Sequence, residues 1–224
     1  MQHKKIILPD EAGYQAMAAD ASREAEAQEW AEASLQTPIG AGMVATQSRT
    51  ALLIIDVQQG LCEGEGAAFE SAEIIARINT VASKARAAGA LVIFIQHESS
   101  AGYLEFESRE WQLANGLRAE PTDLRLRKTT PDSFHRTDLQ ALLERQAVTE
   151  LVVCGMHTEF CVDTTTRRAL ALGYPVVLVA DAHTSAGNAH LSAAQVIAHH
   201  NATLTNISSF GPRVRAVAAA DLHL

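Results

Sequence analysis

The sequence predicts an α/β fold, a three-layer, doubly wound (Rossmann-like) arrangement with a six-stranded, mainly parallel sheet. Three observations carry this expectation. Short, unalternating apolar runs recur from residue 50 onward, as in strands buried on both faces. Between them lie stretches with apolar residues at three- and four-residue spacing, and strands joined through helices make right-handed crossovers into a parallel sheet. The chain has 224 residues, 47% of them hydrophobic, enough for one sizeable core.

Ala51-Leu52-Leu53-Ile54-Ile55 is the first strand and ends in Asp56. Ile74, Ile75, Ile78, Val81 and Ala85 mark a helix that stops at Gly89. Leu91–Gln96 is the second strand and Leu124–Lys128 the third, followed by a short helix, capped by Asp138, that carries Leu139, Leu142 and Leu143. Leu151–Cys154 is the fourth strand, ended by Gly155, and Cys161–Leu172 is a helix stopped by Gly173. Pro175–Ala180 is the fifth strand, Ser192–His200 a helix, and Ala202–Ile207 the sixth strand.

Residues 1–48 stand apart from residues 49–224, the main domain. Residues 10 to about 36 are rich in Ala and Glu, with Tyr14, Met17, Trp30 and Leu35 as a thin apolar stripe, and Thr37–Gly42 reads as a linker. Two readings stay open: a helical arm that docks on the main body or a neighbouring subunit, or a partly disordered extension.

The formal net charge of −8 argues against a nucleic-acid partner. No apolar run approaches the roughly 20 residues of a bilayer span, and Ile6-Ile7-Leu8 is too short for a signal-peptide core. Three cysteines, Cys62, Cys154 and Cys161, make no disulfide framework. The expectation is a cytoplasmic protein with free thiols and no membrane partner.

Three ionisable groups fall at or just after strand ends: Asp56, Lys128 and Cys161. A parallel sheet gathers such ends, and ligands of these folds bind beyond them. A free thiol is only about 3% thiolate at neutral pH, and a helix N-terminus or a neighbouring ammonium favours the anion. Cys161 has the first, Lys128 is the candidate for the second, and Asp56 is placed to move the proton. Cys154, inside a strand, and Cys62, in a Gly/Glu-rich loop, read as structural. Gln96 and His97 end the second strand and, with Phe134, Tyr103 and Trp111, are candidates for the pocket rim and walls.

Ile54-Ile55-Asp56-Val57-Gln58, then Lys128 with Ser133-Phe134 and Thr137, then Gly155-Met156-His157-Thr158-Glu159-Phe160-Cys161-Val162 resemble the Asp–Lys–Cys signature of the isochorismatase-like cysteine hydrolases. Thr164–Ala169, Gly173-Tyr174 and Asp181-Ala182-His183 extend the resemblance, which covers about residues 50–210 and not the N-terminal arm.

The resemblance implies cleavage of a C–N bond in a small amide-type substrate through a thioester, with Cys161 as nucleophile, Asp56 as general acid/base and Lys128 as their electrostatic partner. It also implies a cis peptide at Met156–His157 and an oxyanion hole from the backbone N–H groups of His157 and Cys161. Met156 joins Gln96, His97 and Phe134 among the expected substrate-binding residues, and the family habit implies a homo-oligomer.

No cofactor and no metal are expected. Nicotinamidases carry an Asp-x-His plus His set after the second strand, and Gln96–Tyr103 lacks it. His199 and His200 are adjacent, so on a helix they diverge by about 100° and do not easily share an ion. Gly64-Glu65-Gly66 lacks the full dinucleotide fingerprint, and Gly-x-Ser-x-Gly is absent. Two rivals remain, a zinc nicotinamidase-type enzyme and a catalytically silent binding protein of the same fold.

Overall fold

The computed structural model describes residues 49–64 and 66–224; the expected N-terminal arm lies outside the described residues. Twelve elements follow in order. They are β1 (Thr50–Ile55), α1 (Gln59–Cys62), α2 (Ser71–Ala87), β2 (Leu91–His97), β3 (Leu124–Lys128), α3 (Leu139–Arg145), β4 (Glu150–Met156), a π-helical turn (Thr158–Val162), α4 (Asp163–Ala171), β5 (Val176–Thr184), α5 (Ala193–Asn206) and β6 (Val214–Val217).

The six strands form one sheet in the order β3-β2-β1-β4-β5-β6, every neighbouring pair parallel. The chain winds outward from β1 through β2 to β3, then returns to place β4 on the other side of β1. That reversal puts a crevice at the carboxyl ends of β1 and β4, where ligands of doubly wound folds bind.

Alternation within the central strands feeds two cores. Leu52, Ile54, Val92, Phe94, Val152 and Cys154 face the cluster under α2. Ala51, Leu53, Ile55, Ile93, Ile95 and Val153 face the cluster that holds Leu139, Ala169 and Leu204. All these strand residues are at most 3% exposed, which explains why β1, β2 and β4 read as unbroken apolar runs. Among the described residues no helix is long and apolar enough to cross a membrane.

The sixth strand is not where the apolar pattern predicts it. Ala202–Asn206 continues α5, and the edge strand is Val214–Val217. A capping box between Ser192 and Gln195 starts α5, and Val196 and Leu204 share its buried face. Thr205 and Asn206 return their side chains to carbonyls of the preceding turn, so the polar residues that mimic strand alternation sit comfortably in a helix. Asp138 does occupy the N-cap of α3, but its side chain makes no capping bond; the Thr137 hydroxyl takes the Leu139 N–H instead.

Candidate active site

The site is assembled by the ends of β1, β2, β3 and β4. Asp56, directly after β1, has a positive φ of 53° and donates its own N–H to the Ile95 carbonyl, which fixes its carboxylate at the sheet edge. Lys128 is the last residue of β3, and its side chain is buried as deeply as the aliphatic core. Its Nζ lies 2.7 Å from Asp56 Oδ2, 3.2 Å from Cys161 Sγ, 3.3 Å from His97 Nδ1 and 3.1 Å from the Thr130 carbonyl. An ammonium has three hydrogens, so these four partners saturate it.

Cys161 sits in the π-helical turn that follows β4, and only 9% of it is exposed. Gly155 is what lets β4 approach β1 at this point. Its φ is +117°, and a Cβ there would lie 2.1 Å from the Ile55 carbonyl oxygen. The Met156–His157 peptide is cis. The His157 carbonyl accepts from the N–H groups of Phe160 and Val162, at 3.1 and 3.2 Å. The Cys161 N–H between them is not drawn to that carbonyl, consistent with the unpaired donors of a helix start.

Electrostatically the site rests as a protonated thiol beside an ion pair. Burial first, then the Asp56 carboxylate, push the Cys161 thiol up to about 12, against the opposing pull of Lys128. Of the two influences that favour a thiolate, the helix start and the ammonium, the ammonium's pull is outweighed by desolvation here. Asp56 Oδ2 is committed to Lys128, whereas Oδ1 is buried without a partner, an acceptor held in reserve. Burial, then Lys128, lower the pKa of His97, so its ring is neutral and Nδ1 accepts from the ammonium.

Asp56, His97 and Cys161 offer three ligand atoms within 4.8 Å of one another, the arrangement of a possible metal cage. The Lys128 Nζ stands within 3.3 Å of an atom from each. An added divalent ion would share that space with a buried ammonium, so these residues do not fit a resident metal.

The other expected site residues separate. Phe134 is buried in the same apolar cluster as Cys161, its ring stacked 6.4 Å from Tyr174. Gln96 and Met156 face the opposite way. Gln96 donates to the Trp111 carbonyl and accepts from Arg125, and Met156 packs in the α2 cluster with its sulfur 3.7 Å from Cys62. Strand alternation is the reason: Gln96 shares a face with Phe94, and Met156 with Cys154. Tyr103 is 56% exposed and hydrogen-bonds the Gly60 carbonyl, while Trp111 is buried edge-on to Phe106.

Two supports escape the sequence argument. Gln58, fully buried, clamps the end of β2 by accepting the His97 N–H at 2.8 Å and donating to the His97 carbonyl at 2.9 Å. The Thr158 hydroxyl hydrogen-bonds Nδ1 of a buried histidine, His183. Both lie in the motif segments themselves, Gln58 two residues after Asp56 and Thr158 three before Cys161, which is the mark they leave in the sequence. A separate cavity of about 360 Å³, bounded by Thr50, Leu91, Gln146 and Val148, opens at the amino ends of the strands, away from all these groups.

Residues 50–209 match the family described as Isochorismatase domain. The chain belongs to the isochorismatase family. It is 41% identical over 134 residues to a streptothricin hydrolase of Streptomyces noursei, an alignment covering 59% of this chain and 49% of that protein. The chain thus spans about half the length of that curated relative. It is 29% identical to the ureidoacrylate amidohydrolase RutB of Methylobacterium radiotolerans, covering 78% and 79% of the two chains. Among solved structures, an isochorismatase family protein superposes with a TM-score of 0.69 at 37% identity, covering 75% of this chain and 98% of that one.

Proposed function

We propose that this family member is a cysteine hydrolase that cleaves the C–N bond of a small amide-type substrate through a thioester. The observation that carries the reading is the single ammonium of Lys128 in contact with both the Asp56 carboxylate and the Cys161 sulfur. Relatives named as a streptothricin hydrolase and a ureidoacrylate amidohydrolase support the amide class.

In the first half-reaction the Cys161 proton passes to Asp56 as sulfur attacks the carbonyl carbon. Because the resting thiol is protonated, base and nucleophile must act together, and the free Oδ1 of Asp56 is suited to receive the proton. The carbonyl oxygen becomes an oxyanion, for which the N–H groups of His157 and Cys161 are the proposed donors. Collapse breaks the C–N bond, and the departing nitrogen takes the proton from Asp56. Water then gives a proton to Asp56 and attacks the thioester; the C–S bond breaks and sulfur recovers its proton. Lys128 holds the Asp56 carboxyl group in place between proton transfers and offsets the charge on sulfur.

Ammonia or amine release from a panel of small amides and ureido compounds, with wild type and Cys161→Ala, tests the reading. Turnover that vanishes in the variant, with a mass shift at Cys161 in the quenched wild-type reaction, is the expected result. Equal turnover by both proteins would overturn it.

A further inference from the structure

We propose that Thr158, His183 and Asn201 form a buried hydrogen-bond relay that positions the Cys161 turn over Lys128, with His183 as its central positioning residue. This deepens the cysteine-hydrolase reading and rests on it.

The relay begins in an irregularity of the sheet. Val153 of β4 pairs with Leu178 of β5, but Gly155 pairs with His183 and Met156 with Thr184. Two steps along β4 therefore span five along β5. In an unshifted register Ala180 would stand opposite Gly155. The extra residues carry an imidazole to the place directly beside the strand end from which the Cys161 turn departs. Bulges of this kind recur beside active sites because they re-aim a side chain without ending the ladder.

The direction of every bond in the relay follows from one anchor. Asn201, on α5, donates its Nδ2 to the carbonyl of Ala180, one of the bulged residues, at 3.0 Å. That fixes the amide orientation and turns Oδ1 toward His183 Nε2, 3.0 Å away. The Nε2 therefore carries the ring proton and donates it. Nδ1 is left as an acceptor, and the Thr158 hydroxyl, 2.8 Å away, donates to it. Thr158 is the first residue of the π-helical turn, three before Cys161. Thr158 and His183 are fully buried, so water does not compete for these bonds. Burial pushes the His183 pKa down to about 4, which keeps the ring in the neutral form the relay needs.

The side-chain bonds of Thr158 and His183 run to each other and to Asn201, not to Lys128, Asp56 or Cys161. What the relay can set is where the turn stands. A β-branched hydroxyl locked to an imidazole at the turn's first residue removes rotation there, and the sulfur must stay within reach of Nζ for the chemistry to run. Ser185 adds a second tie from the same strand end, donating to Glu159 at 2.7 Å. The carboxyl end of β5 thus grips the first two residues of the turn.

The test uses the full chain, one double variant and four single ones: Thr158→Val and His183→Leu, which break the bond, and Thr158→Ser and His183→Asn, which keep a donor and an acceptor at those places. Displacing a nucleophile by an ångström costs up to about 100-fold, so kcat should fall roughly 10- to 100-fold in the first pair with KM within about threefold. The second pair should recover most of that loss. The Thr158→Val/His183→Leu double variant should be no slower than the worse single. The iodoacetamide alkylation rate of Cys161 at pH 9, followed by mass spectrometry, should change at least fivefold in Thr158→Val and His183→Leu. Full or additive losses without recovery by Thr158→Ser and His183→Asn, or wild-type kcat and alkylation in Thr158→Val, would overturn the relay. The second readout separates the two ideas. If wild type hydrolyses none of the amides while alkylation still shifts, the hydrolase reading fails and the relay stands. If Cys161→Ala abolishes hydrolysis while Thr158→Val changes neither readout, the relay fails and the hydrolase reading stands.

Discussion

The Nζ of Lys128 lies 3.2 Å from the Sγ of Cys161, yet burial and Asp56 hold that thiol at about 12. The ammonium is therefore not simply a device for making a standing thiolate. In the proposed mechanism it forms, with Asp56, the ion pair into which the thiol releases its proton as it attacks a carbonyl. The alkylation rate of Cys161 in substrate-free protein should rise about tenfold per pH unit between pH 7 and 10, following the thiolate fraction of a group that titrates higher still. A plateau below pH 8 in a mass-spectrometric time course would contradict the raised thiol.

Lys128→Met should be costly twice over. Its ammonium and the Asp56 carboxylate are both essentially without solvent contact. Removing one partner of a buried pair strands the other charge, at about 3–5 kcal/mol. Urea unfolding at pH 7 should register that loss, and amide hydrolysis should fall by about 1000-fold or more because Asp56 and Cys161 lose their common partner. Asp56→Asn should lower turnover comparably, and the double variant should be little worse than either single. Additive losses would place the two residues in separate roles.

The three residues proposed to react are legible in the sequence as a group of strand-end ionisable side chains, and the direction of their neighbours is not, for a physical reason. Asp56 sits where an apolar run stops, Lys128 ends an alternating Leu/Arg strand, and Cys161 follows the stop of another apolar run, so a parallel sheet gathers them. The inward or outward direction of Gln96 and Met156 depends on which member of an alternating pair each strand presents, and a run apolar on both faces hides that register. The edge strand Val214–Val217 is four residues long and buries only Val214 deeply, so it has almost no pattern to detect. The role of His183 depends on a register shift in β5, which no periodicity records. The thiol's high pKa is likewise a property of burial that only the packed strand ends create.

Gly155→Ala should be among the most destabilising single changes in the chain. The position combines a φ of +117° with a Cβ site 2.1 Å from the Ile55 oxygen and 2.7 Å from the Ile55 nitrogen. Both obstacles are backbone of the adjacent central strand, so no side chain can swing aside. A loss of about 3 kcal/mol or more in urea unfolding is expected, together with loss of hydrolysis, since the same strand end carries the Cys161 turn. A variant as stable as wild type would mean that β4 and β1 separate more easily than their packing indicates.

Acid should expose the buried histidine. His183 titrates at about 4 in the folded protein, against 6.5 for the unperturbed side chain, with burial as the main cause. Above pH 6.5 neither folded nor unfolded His183 binds a proton, and the group adds no pH dependence. Between 6.5 and about 4 the unfolded chain takes up a proton that the folded one refuses, so stability falls as pH falls. Below about 4 both forms are protonated and the slope from this residue ends. The shift corresponds to about 3 kcal/mol of lost stability across the window. His97 and His157 are also lowered by burial and act in the same direction, and carboxylates add their own acid sensitivity, so the total slope does not isolate His183. The comparison that does is wild type against His183→Asn, a residue that cannot titrate. Unfolding free energies measured by urea at pH 7 and pH 4.5 should show the variant less stable at pH 7 and the gap narrowing by about 2 kcal/mol at pH 4.5. A gap that stays constant would mean that His183 takes up its proton as readily in the fold as in the unfolded chain, so that burial does not lower its pKa.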